Sequence, residues 1–247
     1  MTYRNPPNTA QTAAEAYALY RDALGRNGLT QSAWHKDADD GRQLAGGLGV
    51  LGPEIDWPRD CPAQIMPRWL AQMMPWLFDG QQAEDAFAWG LKFYGELKRL
   101  NGVVPFAVVH DWTANVVVLL GIEWRELMGV STDAAKALQA LHVRALNKDV
   151  APRYKWFQAL QPALRESYTS AEAYAAACDL AAADAYAYAD AYANAYANAF
   201  ADADAYADAD AFANAKKIRY QQAIKRLADG LIECLARVDA PTTINGE

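Results

Sequence analysis

Three histidines, His35, His110 and His142, are the side chains of this sequence with an ordinary pKa suited to proton transfer near neutrality. His110 is followed by Asp111, a bare His-Asp pair. His35 lies in Trp34-His35-Lys36-Asp37, close to Asp39 and Asp40. Together His35, Asp39, Asp40, His110 and Asp111 are the candidate catalytic residues. The chemistry they would support is metal-dependent hydrolysis, in which imidazole and carboxylate ligands must converge on one ion. No His-x-x-x-His or Glu-x-x-His spacing supports that convergence, so no metal site and no cofactor are expected. His142 falls on the helical face of Leu138, Leu141 and Ala145, where a core histidine is the simpler reading.

Other reaction classes find less support. The chain has no Gly-x-Ser-x-Gly and no phosphate loop of the Gly-x-x-x-x-Gly-Lys type. Ala45-Gly46-Gly47-Leu48-Gly49 lacks the lysine a phosphate loop needs, and a packing or hinge role is expected of it. Asp39-Asp40-Gly41-Arg42-Gln43 reads as a solvated start of a helix. Cys61, Cys178 and Cys234 are odd in number and have no metal-like spacing, as reduced thiols in a cytoplasmic protein would be.

The elements that would position these residues are helices. Thr12 and Glu15 have capping-box spacing ahead of a helix ending near Gly25. A helix capped by Thr30 or Ser32 is expected through Gln43 and Leu44. Pro62 suits a first helical turn, and Pro67 and Pro75 predict short, kinked helices over 66–78. Phe87, Leu91, Tyr94, Leu97 and Leu100 recur at helical spacing over 84–100. Pro105 opens a helix to about 128 despite the β-branched Val108, Val109, Val116, Val117 and Val118. Thr132-Asp133 starts another, Trp156, Phe157, Leu160 and Leu164 follow around Pro162, and an amphipathic helix fills 218–238.

A low-complexity tract separates the last two segments. Over 171–215, alanine fills 24 of 45 positions, and from 181 every odd-numbered residue is Ala. Strict alternation is formally a strand signal. At about 100° per residue, however, Tyr174, Tyr188, Tyr192, Tyr196 and Tyr206 gather on one side of a helix. Asp190, Asn194, Asn198 and Asp202 fall opposite, and alanine is the best helix former. The phase slips at Asp210 and Phe212, which predicts a bend or turn over 202–210.

Charge sharpens the picture. The net charge is −7, yet residues 166–215 hold nine acids and no Lys or Arg, so the remainder sums to +2. Direct nucleic-acid binding, which needs clustered cations, is not expected. The tract instead suits a protein partner, a small ligand or self-association, with Tyr188, Tyr192, Tyr196, Asp190 and Asp202 as candidate binding residues. The longest aliphatic stretch, 116–120, is far too short for a membrane span, and residues 1–10 do not read as a secretory leader.

With 53% apolar and 21% charged residues the composition is globular. The expected fold is all-α: a multi-helix region over 1–165, a long Ala-rich helix or helical hairpin packed on it over 166–240, and a tail over 241–247. At Asp40-Gly41-Arg42-Gln43-Leu44, Asp60-Cys61-Pro62-Ala63 and Met66-Pro67-x-Trp69-Leu70-Ala71, the chain resembles proteins of tailed phages and prophages. The likeness extends through Phe78-Asp79-Gly80 and His110-Asp111-Trp112. Those proteins carry Ala-Tyr-rich C-terminal tracts, as do some called immunity proteins. The resemblance implies phage–host conflict and counter-defence by binding, and it brings no catalytic residue. Three readings follow: a non-enzymatic protein that binds or sequesters a host protein or small ligand, a metal-dependent hydrolase with a cryptic His/Asp site, or a self-assembling protein built on the Ala-Tyr helix.

Overall fold

A computed structural model describes residues 6, 8–127, 129, 131–167 and 209–240, with the side chains of 164–167 and 209–216 left aside. The expected tract helix over 171–208 and the binding candidates Tyr188, Asp190, Tyr192, Tyr196 and Asp202 lie outside the described residues. Among the described residues the fold is mostly α-helical, with one two-stranded hairpin. Two compact units divide it: residues 1–105 with 232–247, and residues 106–231. The sequence-expected region 1–165 is thus shared between them.

In the first unit, α1 (Ala13–Gly25) starts at Thr12, whose hydroxyl accepts the Glu15 N–H. The Glu15 carboxylate accepts the N–H of Gln11, one residue earlier than a regular capping box. Where a helix was expected over 30–44, the chain forms an antiparallel hairpin, β1 (His35–Asp37) and β2 (Gln43–Ala45), in the register His35↔Ala45. Its turn explains the difference. Gly41 adopts φ +80° and donates to Ala38 O at 2.9 Å, while Ala38 N–H reaches Arg42 O. An Asp-Gly step followed by a strand is a hairpin signal, and the left-handed position favours glycine.

Added Cβ atoms at Gly46 and Gly49 would run into the backbone of Ala33 and Trp34, so the glycine run does serve packing. Pro62 starts only a turn, with Ile65 N–H on its carbonyl. One helix, α2 (Arg68–Asp79), replaces the short kinked pieces, with Pro75 inside it. Buried Trp69, Leu70, Met73, Met74, Leu77 and Phe78 offset the hydrogen bond that Pro75 removes. Helix α3 (Ala83–Arg99) buries Trp89, Phe93, Tyr94 and Leu97, and the Tyr94 hydroxyl donates to Gly47 O at 2.7 Å.

The second unit begins with α4 (Ala107–Trp112), a π wrap at Thr113–Val117 and α5 (Val118–Leu127). The β-branched run is therefore helical: buried Val108, Val109, Val117 and Val118 outweigh their weak propensity. Helices α6 (Asp133–Leu146) and α7 (Arg153–Ser167) follow. Helix α8 (Ala209–Ala236) begins at the last two residues of the expected bend over 202–210, and residues 202–208 lie outside the described residues. Its residues up to Leu231 belong to this unit. Trp112 Nε1 donates to Leu227 O at 2.8 Å, and Gly230 leaves room for the Val116 side chain.

Candidate functional site

The sequence candidates lie on separate elements. His35 opens β1, while Asp39 and Asp40 lie in and beside the hairpin turn. Arg42 binds Asp40 at 2.7 Å through Nε and also donates its backbone N–H, which together hold that carboxyl below the usual carboxylate range. These three residues belong to the first unit, and His110 and Asp111 to the second. Asp111 accepts Asn115 Nδ2 at 2.7 Å, one helical turn on. No group of three potential metal ligands occurs among the described residues. The Cys61 thiol is half-buried, and burial pushes it up to about 12, far from a thiolate nucleophile.

Among the described residues, a cluster of chemistry-bearing side chains forms within the second unit. His110 Nδ1 and His142 Nδ1 lie 3.1 Å apart. The backbone sets this up through two parallel contacts. Val118 N–H bonds Thr113 O, five residues back, as a π wrap requires. The Ala114 carbonyl accepts Gln139 Nε2 at 2.8 Å. His110 and Ala114 are one turn apart on their helix, as are Gln139 and His142 on α6. The pairings 110 with 142 and 114 with 139 make these helices antiparallel at the contact.

Aromatic rings surround the imidazoles. Trp156 of α7 stacks on His110 with centroids 5.6 Å apart, and its edge meets His142 at 4.7 Å. Phe106 packs edge-on against His110 at 5.1 Å. Trp156 itself is fixed by its Nε1 bond to Ala151 O at 3.0 Å. In this setting desolvation dominates. It lowers the His142 pKa to about 3, helped by the neighbouring His110. His110, half-buried, is lowered by burial. Both rings are therefore neutral at pH 7, and one donates Nδ1–H to the bare Nδ1 of the other.

Arg125 is fully buried on α5 and donates to Ser131 O at 2.8 Å and Ala163 O at 3.4 Å. It ties the end of α5 to the loop before α6 and to α7. Sequence reasoning had placed His142 in the core, which holds, but not beside His110. A separation of 32 residues carries no pairing signal, and Trp156 and Gln139 carried none either.

The outer side of α7 differs from this inner side. Tyr154 is 59% exposed and Phe157 43%, with Val150 just ahead of the helix at 66%. Leu127, at the end of α5, is 74% exposed. Arg153 and Lys155 stand beside them, also exposed. Among the described residues no helix is long and apolar enough to cross a membrane. Comparison with protein-family models, with curated proteins and with solved structures finds no match.

Proposed function

We propose that this chain is a non-enzymatic interaction protein that binds a host protein through the exposed flank of α7. The observation that carries the reading is the run of Val150, Tyr154 and Phe157, three large apolar side chains in solvent within eight residues. Single exposed apolar residues are ordinary, but a local group of them marks a contact surface. Tyr154 and Phe157 are three residues apart and so share one side of the helix. Aromatic and arginine side chains together are the composition of binding hot spots, and Arg153 lies next to Tyr154. The resemblance of residues 40–44, 60–63 and 66–71 to phage and prophage proteins supports a bacterial host protein as partner.

The test compares the chain with a Tyr154→Ser/Phe157→Ser double variant as bait in bacterial lysate. A partner held by the native chain should be lost by the variant, at an unchanged melting temperature. Equal recovery of the same partner by both would overturn the assignment of the flank.

A further inference from the structure

We propose that the His110–His142 contact is a proton-sensitive latch that holds α4 to α6 and α7 while one Nδ1 is bare and lets go when both rings are protonated. The geometry sets the rule. In the neutral pair one Nδ1–H donates across 3.1 Å to the other Nδ1. A first added proton goes to Nε2 of the donor ring and leaves that bond in place. A second proton has to occupy the acceptor Nδ1, so that two N–H groups and two positive charges then face each other.

Among the described residues no carboxylate pairs with either ring. On α4, Asp111 is taken by Asn115, and on α5 Glu123 pairs with Arg226 at 2.8 Å. Arg125 on α5 points to the Ser131 and Ala163 carbonyls. On α6, Asp133 and Lys136 are exposed near its start, and Arg144 pairs with Asp149 at 2.7 Å beyond its end. On α7, Arg153 and Lys155 are exposed near its start, and Arg165 and Glu166 stand at its end. The π wrap contributes Thr113 and Asn115 but no ionisable group. Burial bears most on His142, and the charge of His110 acts in the same direction. Half-buried His110 gives protons a way in. Release would uncover Trp156 and loosen Gln139 from Ala114 O.

Two measurements on the full chain test the latch. In a titration with 13C-labelled histidine, two of the three imidazole resonances should titrate as a coupled pair, with the second step at least one pH unit below the first. Over that range, amide exchange corrected for intrinsic rates should rise at least tenfold in 107–112, 133–146 and 153–163, relative to 13–25 and 83–99. His142→Gln keeps an acceptor for His110 but cannot titrate, so its corrected exchange should change less than twofold. Independent titration of all three histidines near the ordinary imidazole value would overturn the proposal, as would the same acid response in His142→Gln. Should that variant not fold, the titration of the native chain decides alone.

Discussion

His110 and His142 meet nitrogen to nitrogen at 3.1 Å, one ring half-buried and the other nearly dry under Trp156. The pairing couples the stability of the whole chain to pH. In the unfolded chain an imidazole titrates near 6.5, whereas folding lowers His142 to about 3. Between those values the unfolded state binds more protons, so stability rises with pH and is lost as pH falls below 6.5. At pH 5, His142 alone should withdraw about 2 kcal/mol relative to pH 7. His110 is shifted the same way and adds to the loss. Urea unfolding at pH 7 and pH 5 measures it, and His142→Gln should remove most of the difference.

Two glycines in helices should respond oppositely to alanine. A Cβ on Gly90 would overlap the Tyr20 hydroxyl and ring, whose oxygen bonds Phe87 O at 3.1 Å. Tyr20 is fully buried and cannot swing away. Gly90→Ala should therefore destabilise by about 1–3 kcal/mol. Gly25, the last residue of α1, has nothing within 4 Å of that position. Gly25→Ala should be neutral or stabilising by up to about 1 kcal/mol. Denaturant midpoints for the two variants check the pair, and a reversed order would refute the packing account of Gly90.

The helical architecture could be read from the sequence wherever apolar spacing and caps agreed. Thr12 starts α1 as its capping pattern indicates, and 84–100 is α3 to within a residue or so at each end. The failures have separate causes. At 35–45 helical propensity lost to turn chemistry, because Gly41 takes a left-handed conformation that an Asp-Gly step announces. At Pro75 and in the valine-rich 108–118 segment, burial overrode local preference. The site was less visible. Sequence pairing joined His110 to its neighbour Asp111, but adjacent helical residues point apart, and Asp111 turns to Asn115 instead. The partner His142 comes from another helix, through an antiparallel contact that only packing of α4 and the π wrap on α6 creates.

Arg125 tests how that second unit is held together. Its guanidinium fork serves two carbonyls, Ser131 O and Ala163 O, on different segments. Arg125→Ala would strip both acceptors, at about 1–3 kcal/mol for the buried Ala163 O and less for Ser131 O, which water can reach. Arg125→Lys keeps the charge but not the fork, and should recover only part of the loss. Chemical denaturation of the two variants should therefore give native, Lys and Ala in descending order of stability. Equal stability of Lys and native chains would mean that charge, not the two-carbonyl geometry, is what matters.

The two sides of α7 should separate binding from folding. Leu160 is buried and faces the core, whereas Tyr154 and Phe157 project into solvent. Leu160→Ala should cost about 2–5 kcal/mol through lost contacts and a cavity. Tyr154→Ser/Phe157→Ser should stay within about 1 kcal/mol of the native chain, since neither side chain fills space in the fold. A flank needed for binding but not for stability is what a contact surface requires. Thermal melts of both variants, set beside partner recovery from lysate, distinguish the cases. Loss of recovery only in the unstable Leu160→Ala chain would assign α7 to folding alone. Loss in the stable serine variant assigns its exposed flank to the partner.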